Sequence, residues 1–301
     1  MQPSRESGEI AADPTAVLIR RCAAALTGAI ARVERNPSRA AVHEVRVAAR
    51  RLRGLLRAIR KDLHPTLQAS LQFDLKNLSR SFGTLRDVSV RWRLLQEMRR
   101  RPHERGGDMS TRALGGILAE VVGMERHLQT EARQLLGSAA WNERKERIRE
   151  ALSSSALLAV RPRPQRRVSG RALRRSLRRV SKRLASNSIA QRDLHRLRLA
   201  VKQARYLTEL LGDTPGWDEE PTCAAVAGSL RQLQTVLGDI NDHFGLSEWA
   251  LTAVVDVTIR RALVREIDLR IGLRIRKFRG LRKKLREPIK ESARALLAAA
   301  T

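Results

Sequence analysis

The stretch HEVRVAARRLRGLLR, residues 43–57, carries the pattern that decides the fold. Its histidine and several of its arginines recur at intervals of three and four residues, so they share one face of an α-helix. Its aliphatic residues occupy roughly the opposite face, which predicts an amphipathic helix with one side in a core and one side for cations. The cationic face, called stripe 1 here, consists of His43, Arg46, Arg50, Arg53 and Arg57.

A second stretch of the chain repeats this pattern. The segment LHRLRLAVKQARYLTELL, residues 194–211, matches the first stretch from its histidine onward. Downstream of the two stretches, FGTLRD at 82–87 pairs with LGDIND at 237–242. Two matched blocks in the same order indicate duplicated helical halves. The second cationic face, called stripe 2, consists of His195, Arg198, Lys202 and Arg205, with Tyr206 at its border.

The composition predicts helices in the rest of the chain as well. Leu, Ala, Arg and Glu dominate the 301 residues, whereas aromatic residues make up only 3%. The dominant residues are good helix formers, and Gly and Pro fall mainly between the periodic segments. We therefore expect an all-α protein. Its expected organisation is a disordered N-terminus at 1–13, a first helical half at 14–152, a connecting segment at 153–170 and a second helical half at 171–301.

The charge of the chain indicates an anionic partner. Sixty Lys and Arg against 31 Asp and Glu give a formal net charge of +29, and an excess of this size favours polyanions. Like charges stacked at helical spacing destabilise a helix by roughly 0.2–0.5 kcal/mol per pair, and no acidic residue interrupts stripe 1. A bound anion would relieve this repulsion. The alternative interpretation is a solvated basic face on a generally basic protein.

The sequence does not support a catalytic, metal or membrane-spanning class. Cys22 and Cys223 form no CxxC pair or Cys/His cluster, and neither stripe histidine has a second ligand at metal-binding spacing. No P-loop or nucleophile elbow occurs, so we expect neither catalysis nor a cofactor. No segment has the roughly 18 to 20 apolar residues of a membrane span. We expect a soluble, cytoplasmic protein.

Each of the two downstream motifs contains an aspartate, Asp87 or Asp242, four residues after a glycine. We interpret these residues as helix N-caps or as partners of a stripe arginine, rather than as an acid–base pair or a magnesium site. This interpretation predicts a break at Gly238, between helices near 222–237 and 241–262.

The four motifs together resemble those of the CHAD domain, a family named for conserved histidines on an α-helical scaffold. The resemblance covers the chain from about residue 14 onward. It implies two pseudo-symmetric bundles of about four helices each, with a central basic groove that binds inorganic polyphosphate and an association with polyphosphate granules. It also implies that both stripes and Tyr206 line the groove. No ExExK motif of a triphosphate hydrolase occurs, so we expect a stand-alone member.

The repeat is not exact, because Asn241 stands where the first motif has Arg86, and a strict two-fold groove is therefore not expected. A nucleic-acid-binding architectural protein suits the charge equally well, although the few aromatic residues argue against base stacking. A scaffold for acidic partner proteins is a third interpretation. Three further cations lie upstream of the glycine motifs and are secondary candidates for the groove: Lys76, Arg80 and Arg231.

Overall fold

The described part of the chain is all-α, which confirms the predicted fold class. The computed structural model describes residues 14–60, 63–101, 110–154, 165–212 and 221–298, and these contain ten helices and no strand. The expected disordered segment at 1–13 lies outside the described residues. In chain order the helices are α1 (Pro14–Arg35), α2 (Arg39–Ala58), α3 (Pro65–Ser81), α4 (Gly83–Arg100), α5 (Thr111–Leu136), α6 (Ala139–Ser153), α7 (Gln165–Ala185), α8 (Gln191–Gly212), α9 (Pro221–Ala253) and α10 (Val257–Ala298).

Serine side chains cap the start of several helices. The hydroxyl of Ser38 accepts a hydrogen bond from the backbone N–H of Ala41 at 3.2 Å, and Ser110 and Ser138 cap α5 and α6 in the same way. Each serine satisfies an amide that has no carbonyl partner in the first helical turn. Helix α2 therefore begins directly after Ser38.

The predicted break at Gly238 is wrong, because α9 continues through it. One glycine costs a helix interior only about 1 kcal/mol, and the buried side chains of Leu237 and Ile240 hold the helix against the core on both sides. Asp242 therefore lies in the interior of α9, and Asp87 lies in the second turn of α4. Neither aspartate begins a helix, so the capping interpretation is wrong for both.

The apolar side chains form three buried clusters. The first joins α1, α2 and α3 to α6. The second joins α7 and α8 to the first part of α9 and the last part of α10. The third joins α4 and α5 to the remaining parts of α9 and α10, so it crosses from one half of the sequence to the other. The arrangement as two pseudo-symmetric bundles stays a prediction.

Helix α6 ends at Ser153 and α7 begins at Gln165, and the expected connecting segment of 153–170 includes the start of α7. The division into two halves stays a prediction. None of the described helices combines the length and the apolar character that a membrane crossing requires.

Helix α2 packs against both α8 and α4, and α4 packs against α9. Two ion pairs cross between the halves of the sequence at this junction. Arg51 of α2 lies 3.5 Å from Glu209 of α8, and Arg93 of α4 lies 3.3 Å from Asp242 of α9. The buried faces of α2 and α8 enter separate apolar clusters, which leaves their cationic faces at the junction.

Candidate functional site

The two stripes meet where α2 packs against α8. Arg50 of stripe 1 lies close enough to Arg198 and Lys202 of stripe 2 that its charge lowers the pKa of both. The charge of Lys202 in turn contributes to lowering the pKa of His43, for which partial burial is the larger cause. Residues far apart in the sequence thus form one cationic surface. We call this surface the basic cleft and define it by His43, Arg46, Arg50, Arg86, Arg198 and Lys202.

Lys202 has the most strongly perturbed side chain of the basic cleft. Burial is the main reason why its pKa falls from 10.5 to about 7, and the charges of Arg198 and Arg50 lower it further. The charge of Asp242 opposes this shift without cancelling it. The ammonium group is therefore only partly charged near neutral pH. An anion in the cleft would favour its charged form.

Arg46 and Arg198 are more deeply buried than an ordinary surface arginine. Burial, followed by the charge of Arg50, lowers the pKa of Arg46 to about 10, and burial also lowers the pKa of Arg198. Arg46 donates one hydrogen bond to the backbone carbonyl of Ser79 in α3. The Nε–H groups of Arg46, Arg198 and Arg205 are buried without an acceptor. Unpaired buried donors are costly, and phosphate oxygens are suitable acceptors for them.

Arg86 of α4 belongs to the basic cleft although stripe periodicity does not reveal it. Its charge lowers the pKa of His43, Arg46 and Arg198. Its own pKa is lowered, mainly by burial. Arg86 lies on a different helix from either stripe, so it is not spaced three or four residues from any stripe residue. The signal that could have found it is the repeat itself, because Arg86 follows stripe 1 at nearly the distance at which Asn241 follows stripe 2.

The position shared by Arg86 and Asn241 lies beside the stripe histidine in both halves. The side-chain oxygen of Asn241 is 2.8 Å from Nδ1 of His195. In the first half, the charge of Arg86 acts on His43 instead. The second half thus replaces a repulsive neighbour of the histidine with a hydrogen bond.

Two carboxylates border the basic cleft. Asp242 forms its ion pair with Arg93, which belongs to neither stripe, so this pair differs from the predicted bridge to a stripe arginine. The charge of Asp242 also raises the pKa of Arg86, Arg198 and Lys202. Asp87 acts in the same direction on Arg46 and Arg86, more weakly than burial does.

The far end of stripe 1 forms a second group of cations beside α3. Burial, together with the charges of Arg57, Arg80 and Arg50, lowers the pKa of Arg53. Gln72 of α3 donates to the backbone carbonyl of Arg53 at 2.9 Å. The secondary candidate Arg80 therefore lies next to stripe 1. The cationic surface of stripe 1 thus continues from α2 onto α3.

The remaining predicted residues differ in their placement. The guanidinium carbon of Arg205 lies 5.1 Å from the ring centre of Tyr206, and Arg205 also pairs with Glu209. The Tyr206 side chain is buried, so it supports the stripe from below. Lys76 and Arg231 are exposed, and within the described structure neither is among the charges that act on the cleft residues.

In the part of the chain that the structure describes, no group of three His, Cys, Asp or Glu side chains could hold a metal ion. The residues of the basic cleft offer guanidinium, ammonium and imidazole groups. These groups donate charge-assisted hydrogen bonds to anionic oxygens.

The fold and the cleft define an all-α protein with a concentrated cationic surface at the junction of its two halves. A CHAD domain family model matches residues 17–251. The match spans well over half of the chain, so the protein belongs to the CHAD domain family. CHAD domains are linked to polyphosphate binding, and the fold is generally non-catalytic.

Two solved structures share this fold. The CHAD domain from the plant Ricinus communis is 20% identical, with a TM-score of 0.66 and coverage of 94% of this chain and 91% of that chain. PptA from Streptomyces chartreusis is 18% identical, with a TM-score of 0.65 and coverage of 96% and 98%. At these identities the likeness establishes the fold alone. A search of curated proteins finds no match to the sequence.

Proposed function

We propose that this protein binds inorganic polyphosphate in the basic cleft without altering it chemically. The observation that carries the proposal is the approach of Arg50 to Arg198 and Lys202, with the pKa of Lys202 lowered to about 7. Several partly buried cations that lack a neutralising partner destabilise the free protein. A ligand that brings many anionic oxygens into the cleft would offset that cost.

The meeting of the two stripes supports a thin, unbranched polymer as the ligand. Helices α2 and α8 are in direct contact, which brings stripe 1 and stripe 2 beside each other. A linear chain of phosphates lying along this junction would present oxygens to both stripes at once. The planar guanidinium groups can bind these oxygens in a bidentate manner. The group at Arg53, Arg57 and Arg80 would extend the path of the chain beyond the cleft.

A charge reversal tests the proposal directly. In the double variant Arg50→Glu with Lys202→Glu, two cations that face each other across the cleft become anions. Because hydrogen bonds to charged groups contribute about 1.5 to 3 kcal/mol each, we expect the affinity for labelled long-chain polyphosphate to fall about 100-fold or more. Fluorescence anisotropy measures the affinity, and thermal melting shows that the variant is folded.

The matched control changes the net charge by the same amount elsewhere. Arg112 and Arg126 are exposed on α5, outside the cleft, and their replacement with Glu should weaken binding only slightly. An equal loss in the control would mean that net charge rather than the cleft binds the polymer. Unchanged affinity in the double cleft variant would place the site elsewhere.

We also propose that this binding directs the protein to polyphosphate granules in the cytoplasm. A fluorescent fusion of the wild type should accumulate on granules in cells that store polyphosphate, and the double cleft variant should stay dispersed. Purified protein incubated with polyphosphate should leave the chain length of the polymer unchanged on a gel, because the proposed role is binding without catalysis. Shortening of the chains would contradict that part of the proposal.

A further inference from the structure

Helix α7 carries a second concentration of positive charge, outside the basic cleft. Nine of its 21 residues are Arg or Lys, and none is Asp or Glu. Its buried side chains, such as Leu177, Val180 and Leu184, face the second apolar cluster. The exposed face, called the outer face here, consists of Arg175, Arg178, Arg179, Lys182 and Arg183.

Neighbouring carboxylates do not neutralise the outer face. Arg179 donates to the side-chain oxygen of Gln203 at 3.3 Å, which is an uncharged partner. Among the described residues, none of the five outer-face cations forms an ion pair with a carboxylate. The cations are three and four residues apart and repel one another along the helix. A bound polyanion would relieve this repulsion.

The positive surface continues onto α10, which packs against α7. Arg282 of α10 donates to the backbone carbonyl of Ser186, at the C-terminal end of α7, at 3.1 Å. Arg279 and Arg286 lie one turn before and one turn after Arg282, so they are on the same side of α10. Both side chains are exposed.

Helix α8 separates the outer face from the basic cleft. Gln203, the contact of Arg179, follows Lys202 directly in the sequence. Successive residues of an α-helix point in directions about 100° apart. Gln203, which contacts α7, therefore points roughly at a right angle to Lys202 of stripe 2. A polymer segment in the cleft would leave the outer face accessible.

We propose that the outer face of α7, with the adjoining turns of α10, is a second polyphosphate-binding track. The inference rests on the proposed function of the cleft and adds a consequence to it. A protein with two separate tracks holds two segments of polymer, so it cross-links long chains. Binding at the outer face is weaker than in the cleft, because its exposed cations are more strongly hydrated and screened.

Two measurements on the full-length protein test this proposal. Titration calorimetry with short-chain polyphosphate should show two classes of site in the wild type. Light scattering with long-chain polyphosphate should show cross-linked assemblies. The variant Arg175→Gln, Arg178→Gln and Lys182→Gln should keep the tight site, lose the weak site and scatter only as much light as single polymer chains with bound protein. The substitutions relieve repulsion between exposed residues, and thermal melting checks that the fold is retained.

The matched control replaces Arg112, Arg126 and Arg133 of α5, all exposed, with Gln, and it should scatter light like the wild type. A single class of site in the wild type, or equal scattering by the α7 variant and the control, would overturn the second track. The variant Arg50→Glu with Lys202→Glu should retain the weak site alone. If that variant kept the tight site while the α7 variant lost it, the proposed function of the cleft would fail and the outer face would be the main site.

Discussion

Arg50 of α2 lies close enough to Lys202 of α8 for its charge to lower the pKa of the lysine. The two residues come from different copies of an internal repeat, and each belongs to a stripe of cations on its own helix. Their approach joins the two stripes into one surface. The repulsion between them is a cost that the free protein bears and that a bound polyanion would remove. The predictions below follow from that balance.

Binding should take up protons at about pH 8. The pKa of Lys202 is about 7 in the free protein, and a bound polyanion should raise it towards its ordinary value. Between these values the free lysine is mostly neutral and the bound lysine is charged, so affinity should weaken as the pH rises. Calorimetry in two buffers with different ionisation enthalpies measures the uptake. Lys202→Arg should abolish the proton uptake. Equal heats in both buffers for the wild type would contradict the proposed role of Lys202.

Lys202 should also make the stability of the free protein depend on pH. Because folding lowers its pKa from 10.5 to about 7, the folded state binds the proton less tightly than the unfolded state. The resulting destabilisation is complete below about pH 7 and disappears as the pH rises towards 10.5. Lys202→Met should therefore raise the free energy of unfolding near pH 6 by about 1 to 3 kcal/mol, after allowance for solvent screening.

Denaturant unfolding at several pH values measures this effect. The stability difference between Lys202→Met and the wild type should shrink between pH 7 and pH 10. A difference that stays constant across this range would mean that packing rather than charge causes it.

Arg86 should contribute to binding although it lies outside both stripes. Arg86→Gln should weaken polyphosphate binding about tenfold, because it removes one charge-assisted donor from the cleft. Arg99→Gln, at an exposed position on the same helix, is the control and should have little effect. Equal affinities of the two variants would remove Arg86 from the site.

Asp242 should limit affinity while it stabilises the free protein. Its carboxylate pairs with Arg93 and opposes the depressed pKa values of Arg86, Arg198 and Lys202. Asp242→Asn should raise the affinity for polyphosphate several-fold and lower the free energy of unfolding by about 1 kcal/mol.

For this variant, anisotropy should therefore show tighter binding of polyphosphate, whereas thermal melting should show lower stability. Asp268→Asn, at an exposed position of α10, should change neither by as much. Weaker binding by Asp242→Asn would mean that the carboxylate positions the cations for the ligand.

Salt should weaken binding in proportion to the number of cations engaged. The slope of log affinity against log salt concentration reports the counterions released from a polyanion. Replacing one cleft cation with a neutral residue should reduce the magnitude of this slope by about 0.7 to 1. The variants Arg50→Gln and Arg198→Gln should show this reduction in titrations at several salt concentrations. An unchanged slope would indicate that these residues do not contact phosphate.

Periodicity alone predicted most of the helices, because intervals of three and four residues determine which face of a helix enters the core. The predicted break at Gly238 is absent, because buried Leu237 and Ile240 hold α9 continuous through the glycine. That outcome depends on tertiary contacts, which the local sequence does not contain. The interpretation of Asp242 as a cap depended on the same break. Asp87 is not a cap because α4 begins at Gly83, four residues before it.

The approach of the two stripes could be anticipated from the repeat, whereas the contribution of Arg86 could not be read from either stripe. Arg86 reaches the cleft because α4 packs against α2, and helix periodicity says nothing about contacts between separate helices. The roles of Lys76 and Arg231 stay predictions. Both side chains are exposed, and an exposed cation is free to contact a polyanion.

The most direct test of the central claim is a competition experiment at near-physiological salt. Labelled long-chain polyphosphate is bound to the protein and then displaced with duplex DNA, single-stranded RNA or heparin. The account predicts that polyphosphate binds at least about tenfold more tightly per phosphate than either nucleic acid. Displacement by DNA or RNA on equal terms would contradict it, and the protein would then be a general polyanion binder.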